Sequence, residues 1–222
     1  DPENLKIILE LLPEDQRLEA VTEKDVYGKL TLMYAANVPE SLRTMLDLLP
    51  ENQRLIAVTE KAGRDISTLM YVSEDPDSLR TILELLPKAQ ILKAVTEIHT
   101  NGISTLLHAT KNPASLKTIL ELLPKEQRHK VVTAKDEDGY PILLYATENP
   151  DSLKMILALY EPDQRLDAVN EKGKLGSSIL MFAAHNPESL RIILELYDTD
   201  NRLDAVKEKN NSGTVSYTHL TL

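Results

Sequence analysis

Prolines recur every 37 residues along this chain: Pro2, Pro39, Pro76, Pro113, Pro150 and Pro187. Three positions after each stands a leucine, running from Leu5 through Leu42, Leu79, Leu116 and Leu153 to Leu190. Pro13, Pro50, Pro87 and Pro124 keep the same period, and the fifth copy slips by one residue to Pro162. Val21, Val58, Val95, Val132, Val169 and Val206 form another column. A period of this length marks one supersecondary unit repeated, and a unit so small cannot bury its apolar side alone. Adjacent units must therefore cover one another, which implies an open stack with contacts only between neighbours.

Within a period the pattern is helical. Apolar residues make up 42% of the chain and Gly only 7 positions, a balance that favours helix over sheet. A short apolar segment such as residues 30–37, with Ala35 and Ala36, reads as a first helix. The second opens at Asn112-Pro113, Asn149-Pro150 or Asn186-Pro187, where Asn caps free N–H groups and Pro suits the first helical position. Leu42, Met45, Leu46 and Leu49 then lie on one stripe. Pro50 disfavours helical geometry at Leu49, so a third segment starts there and runs to about Thr59, with Glu51 complementing its dipole. A polar turn carrying Gly28, Gly102, Gly139 or Gly176 leads into the next period.

Charge and motif content exclude several functions. Twenty-five basic residues against 35 acidic ones give a net charge of −10, which repels phosphate backbones in the absence of a basic patch. Lys and Arg are instead interspersed with Glu and Asp, as on a solvated helix face. No apolar run reaches the length of a membrane span. Cys is absent, so disulfides and thiolate metal sites are excluded. His99, His108, His129 and His185 lack the spacing of a ligand set. The Asp136 to Gly139 turn lacks the Glu a calcium loop requires, Thr147 standing there instead. No nucleophile motif or phosphate-binding glycine loop occurs, and carboxylate pairs recur in every period, where a catalytic pair would occur once. The expectation is a chain without catalytic, cofactor or metal site. His108 stands in register with Tyr34, Tyr71, Tyr145 and Phe182, read as rings packed between repeats.

The segments Val21 to Gly28 and Val132 to Gly139 resemble the turn joining successive ankyrin repeats. Gly102 to Ala109 and Gly176 to Ala184 are similar to that family's Gly-x-Thr-Pro-Leu-His-x-Ala-Ala, with Ser67, Ser104 and Ser178 at the Thr position, where a hydroxyl caps the first helix. The resemblance implies a mainly α, ankyrin-like solenoid of stacked repeats with short turn fingers. This repeat is longer than the family's 33 residues. Met33, Met70, Leu107, Leu144 and Met181 replace the family's His, and Asp65 replaces the turn glycine. Another α-solenoid, of the armadillo, HEAT or tetratricopeptide kind, is the competing architecture. Long repeats of this style also resemble those of effectors secreted by intracellular bacteria.

Residues 1–214 read as one repeat array, about five full repeats plus partial ends. Residues 215–222 form a tail that matches no column and resembles translated sequencing-adapter sequence. Neither end carries a polar outer face, so the chain reads as a fragment of a longer protein. Against the constant framework, the turn tips and the position after the Ala pair vary. Those positions are Tyr27, Lys29, Asn37, Arg64, Ile66, Glu74, Asn101, Ile103, Lys111, Asp138, Tyr140, Glu148, Leu175 and His185. Stacking aligns such tips along a concave edge, and several are the aromatic, Arg and aliphatic types that binding surfaces favour; free drift of exposed loops is the competing account. The reading is a cytoplasmic, monomeric scaffold that binds another protein, and neither nucleic acid nor membrane. A secreted effector would place it in a host cytosol. The alternatives are a targeting or substrate-docking segment of a larger enzyme, and a rigid spacer.

Overall fold

The computed structural model describes residues 2–63, 65–99, 102–173 and 176–215. Each expected turn is a finger whose two arms meet at a single antiparallel bridge. The bridges are Lys24 with Leu30, Lys61 with Ser67, Ile98 with Ser104, Lys135 with Pro141, Lys172 with Ser178 and Lys209 with Val215. In the first finger the Asp25 N–H donates to the Lys29 carbonyl at 3.0 Å, and the Gly28 N–H donates back to the Asp25 carbonyl at 2.9 Å. So tight a loop needs one left-handed residue, and Gly28 supplies it at φ 76°. Asp65 does the same at φ 57° in the second finger, aspartate being one of the few other residues that tolerate this region.

The first helices are Thr31–Ala35, Thr68–Tyr71, Thr105–Ala109, Ile142–Ala146 and Ile179–Ala183, shorter than the segment expected. Ser67 accepts from the Met70 N–H at 3.1 Å and Ser104 from the Leu107 N–H at 3.3 Å. Ser178 makes no such bond, which corrects its expected capping role. Met33, Met70, Leu107 and Met181 are buried, so the position a polar His would hold is part of the core.

The second helices are Pro2–Glu10, Pro39–Asp47, Pro76–Leu85, Pro113–Leu122, Pro150–Leu157 and Pro187–Leu194. Asn149 accepts from the N–H groups of Asp151 and Ser152 at 3.0 and 3.3 Å, and Asn186 does the same for Glu188 and Ser189. The stripe of Leu42, Met45, Leu46 and Leu49 is buried as its spacing requires. Beside it runs a buried serine column, Ser41, Ser78, Ser115, Ser152 and Ser189. Its short side chains let helices approach closely, and the Ser78 hydroxyl donates to the Ala36 carbonyl of the preceding repeat at 2.6 Å.

Third helices follow at Glu14–Thr22, Glu51–Thr59, Lys88–Thr96 and Thr199–Lys207. In the two periods between, the helix is part α and part 3-10: Lys125–Arg128 then His129–Thr133, and Pro162–Gln164 then Arg165–Asn170. The slipped Pro162 opens the second of these 3-10 turns.

The repeats pack as two units. One holds the described residues up to Ala109 together with Ala114–Pro124; the other holds Thr110–Pro113 and the described residues from Lys125 onward. In the first, the second helices Pro2–Glu10, Pro39–Asp47 and Pro76–Leu85 lie side by side. Lys24 pairs with Glu60 at 3.3 Å, Arg43 with Glu84 at 3.0 Å and Arg80 with Glu121 at 2.8 Å across successive repeats. In the second unit, Pro150–Leu157 packs on Pro187–Leu194, and Lys135–Glu171, Lys172–Glu208 and Lys154–Glu188 continue the pattern. Pairs as exposed as these are worth roughly 0–1 kcal/mol each; the apolar columns hold the stack. Among the described residues no helix is long and apolar enough to cross a membrane.

Candidate protein-binding surface

The first two fingers touch through backbone. The Gly63 N–H donates to the Gly28 carbonyl at 2.7 Å, and a Cβ on Gly28 would lie 2.8 Å from the Gly63 Cα. Beside this contact opens a groove of about 330 Å³ lined by Tyr27, Lys29, Met33, Ala62, Ile66 and Tyr71, with the two glycines. Its rim is aromatic and exposed: Tyr27 is 89% exposed and Tyr71 44%, and Tyr34, which contacts Lys29, is 59% exposed. These exposures correct the expectation that Tyr34 and Tyr71 are rings packed between repeats.

Polar groups brace the groove. The Asp25 carboxylate accepts from the N–H groups of Tyr27 and Lys29 at 2.8 and 2.9 Å and from the Tyr34 hydroxyl. The Tyr34 bond first, then the Lys29 N–H, hold the Asp25 pKa below its ordinary 3.8. The same bond raises the Tyr34 pKa above 10.0. The Lys29 ammonium lies 4.2 Å from the Tyr34 ring centre and 5.2 Å from that of Tyr71, within reach of both ring faces.

The corresponding place in the second unit is built differently. Asp136 again clamps its finger, accepting from the Asp138 and Tyr140 N–H groups and from the Tyr145 hydroxyl at 2.6 Å. Burial first, then that bond, push the Tyr145 pKa well above its ordinary value. The Tyr140 ring, however, is turned inward. Its Cε1 lies 1.8 Å from where a Cβ on Gly173 would stand, and it meets Phe182 edge-on at 5.9 Å and 71°.

No protein-family model matches the chain and no curated protein matches it. Solved structures do. The ankyrin repeat domain of Bcl-3, a member of the IkappaB protein family, is similar over 97% of this chain and 87% of its own, at 15% identity and a TM-score of 0.68. EF0377, an ankyrin repeat protein, is similar over 89% and 93% at 17% identity and a TM-score of 0.62. This is the ankyrin-repeat fold. A chain from the complex of the predatory endopeptidase Bd0816 of Bdellovibrio bacteriovorus with immunity protein Bd3460 is also similar, over 88% and 91%, at 14% identity and a TM-score of 0.55. The ankyrin fold also decides against the other α-solenoids weighed from sequence.

On the ankyrin framework the variable positions separate. Tyr27, Lys29 and Ile66 come together in the one groove. Asn37, Lys111, Asp138, Glu148 and His185 are exposed, one to a repeat for the most part, while Ile103 and Tyr140 are half-buried. Glu74 is exposed but lies 3.4 Å from His108 Nε2, and His108 Nδ1 meets the Ser73 hydroxyl at 2.8 Å. Arg64, Asn101 and Leu175 lie outside the described residues, as does the tail from residue 216. Sequence reasoning missed Tyr71 and the small floor of Ala62 and Gly63. The available signal was that Gly63 is the one glycine in its column, the others being Val26, Thr100, Glu137, Lys174 and Asn211. Among the described residues no three His, Asp or Glu side chains gather as a metal site.

Proposed function

We propose that the chain is a protein-binding scaffold whose fingers, above all the first two, grip a partner protein. The observation that carries this reading is the groove beside the Gly28–Gly63 contact. It is preformed, lined by apolar and aromatic groups, and open to solvent next to a ring that is 89% exposed. Burying exposed aromatic surface is what binding sites use for affinity, at about 2 kcal/mol or more for a central residue. One of the similar structures is itself a protein–protein complex, which fits a scaffold role. The single repeat array over residues 1–214 and the exposed residues Asn37, Lys111, Asp138, Glu148 and His185 belong to the same proposal as an extended contact surface.

The test is capture from cell extract by the immobilised chain and by a Tyr27→Ala, Ile66→Ala double variant. The variant should lose the captured protein while its melting temperature falls by a few degrees at most, since Tyr27 is exposed and Ile66 only half-buried. The same protein captured at equal yield by both would end the proposal. Tyr140 is unsuited to this test, because Tyr140→Ala removes packing on Gly173 and Phe182 and weakens the fold itself.

A further inference from the structure

We infer that the groove between the first two fingers is a socket for an aromatic side chain of a partner peptide, with a neighbouring carboxylate of that peptide meeting Lys29. This rests on the reading of the fingers as a protein-binding surface and names what they bind. The chain provides its own template. Three periods of 37 residues carry Lys29 onto Tyr140, Ala62 onto Gly173 and Tyr71 onto Phe182. In that second setting the seat is occupied: the Tyr140 ring rests against Gly173 and edge-on to Phe182. A small residue for a floor and an aromatic wall at one side therefore make a seat for a six-membered ring in this repeat geometry.

In the first unit the floor and the wall are kept, as Ala62 and Tyr71, but Lys29 stands where the ring would originate. A lysine stem is slimmer than a phenol, and about 330 Å³ is left between Tyr27, Ile66 and Tyr71. The Gly28–Gly63 backbone contact fixes the two fingers relative to each other, so an incoming ring finds the seat already shaped. An aromatic guest gains edge-to-face contact with Tyr71 and stacking beside the Lys29 ammonium. The charge preference follows from Lys29. Its Nζ lies over two rings; the Asp25 carboxylate attracts it electrostatically but is held in the finger by the Tyr34 hydroxyl and two N–H groups, so a guest carboxylate adds a second negative partner. A cation so placed in a chain of net charge −10 selects for a carboxylate beside the ring and against a basic peptide.

Nitrogen–proton correlation spectra of the full chain, titrated with the synthetic peptides Gly-Asp-Phe-Gly, Gly-Asp-Ala-Gly and Gly-Lys-Phe-Gly, test this. The first should move the Gly28, Ala62 and Gly63 amides saturably. Replacing Phe by Ala should weaken binding about tenfold, the worth of one buried ring. Replacing Asp by Lys should weaken it about threefold to fivefold, the worth of an exposed ion pair. Lys29→Tyr, which copies the occupied seat, should abolish the shifts; Lys29→Gln should keep the preference for Phe and lose that for Asp. Equal shifts from the Phe and Ala peptides in the unaltered chain would overturn the socket, and so would unweakened binding by a folded Lys29→Tyr. Partner capture that depends on Tyr27 and Ile66 while no peptide binds would defeat the socket and leave the scaffold role standing. Peptide binding with capture indifferent to Tyr27 and Ile66 would support the socket and defeat the wider role.

Discussion

Gly28 and Gly139 occupy the same column and the same left-handed backbone, at φ 76° and 81°, yet their surroundings differ. A Cβ at Gly28 would press on Gly63, whereas one at Gly139 would meet nothing within 4 Å. Gly139→Ala should therefore cost only the conformational penalty, about 1–2 kcal/mol. Gly28→Ala should cost that and a further about 1–3 kcal/mol for the finger contact it forces apart. Urea denaturation of the two variants measures the difference, and equal losses would show that the close contact contributes nothing. The need for glycine in this column is readable from the period alone. Gly63, in a column that has no backbone requirement for glycine, is explained only by what lies opposite it. Tyr34 and Tyr71 make the same point: their register is plain in the sequence, but whether a ring there is covered depends on the neighbour above.

The third helix is the element that lengthens this repeat, and an arginine near its start ties it in. Arg17 Nε donates to the Leu12 carbonyl at 3.2 Å and its Nη1 to the Leu48 carbonyl of the next repeat at 3.3 Å. Arg54 repeats the arrangement with Leu49 and Leu85 at 3.3 and 3.5 Å, and Arg202 Nε reaches Tyr197 at 3.1 Å. Each closes carbonyls at the end of a second helix, which have no partner within their own helix, with a positive charge that suits that end of the dipole. In the same column Ile91 is buried instead. Arg54→Met keeps most of the stem packing and should cost about 1–2 kcal/mol through the lost bonds. Arg54→Lys should recover little, since one ammonium cannot span two carbonyls as the planar fork does. A shift in the urea midpoint too small to correspond to a few tenths of a kcal/mol would show the bonds to be incidental. The arginine column is visible in the sequence; its job is not, because both acceptors are backbone atoms and one belongs to the next repeat.

For the molecule as a whole, stability should depend on pH through His99. This residue is 5% exposed and holds the finger position that Asp25, Asp136 and Asn210 occupy elsewhere as clamps. Burial first, and the Lys61 ammonium second, hold its pKa below 6.5, against weaker opposing effects of Asp65 and Glu97. Between its lowered folded value and the unfolded 6.5, the unfolded chain binds more protons, so stability is full above that upper limit and is lost as pH falls beneath it. The melting temperature should drop as pH falls below 6.5, and His99→Asn should flatten that part of the profile. A slope unchanged in the variant would assign the effect to other groups.

The 37-residue columns alone determined the helix order, the apolar stripes, the Asn-Pro helix starts and the left-handed turn position. Each of these depends on contacts within one period or on a period repeated without change, and that information is local. The tertiary structure decided which variable tips face one another. Tyr27, Lys29 and Ile66 share a groove in one unit, while Tyr140 fills the equivalent seat in the other. The physical reason is that a groove between fingers belongs to two repeats at once. Whether it is open depends on side-chain volumes 33 residues or more apart, such as Tyr140 over Gly173, and no single period records them.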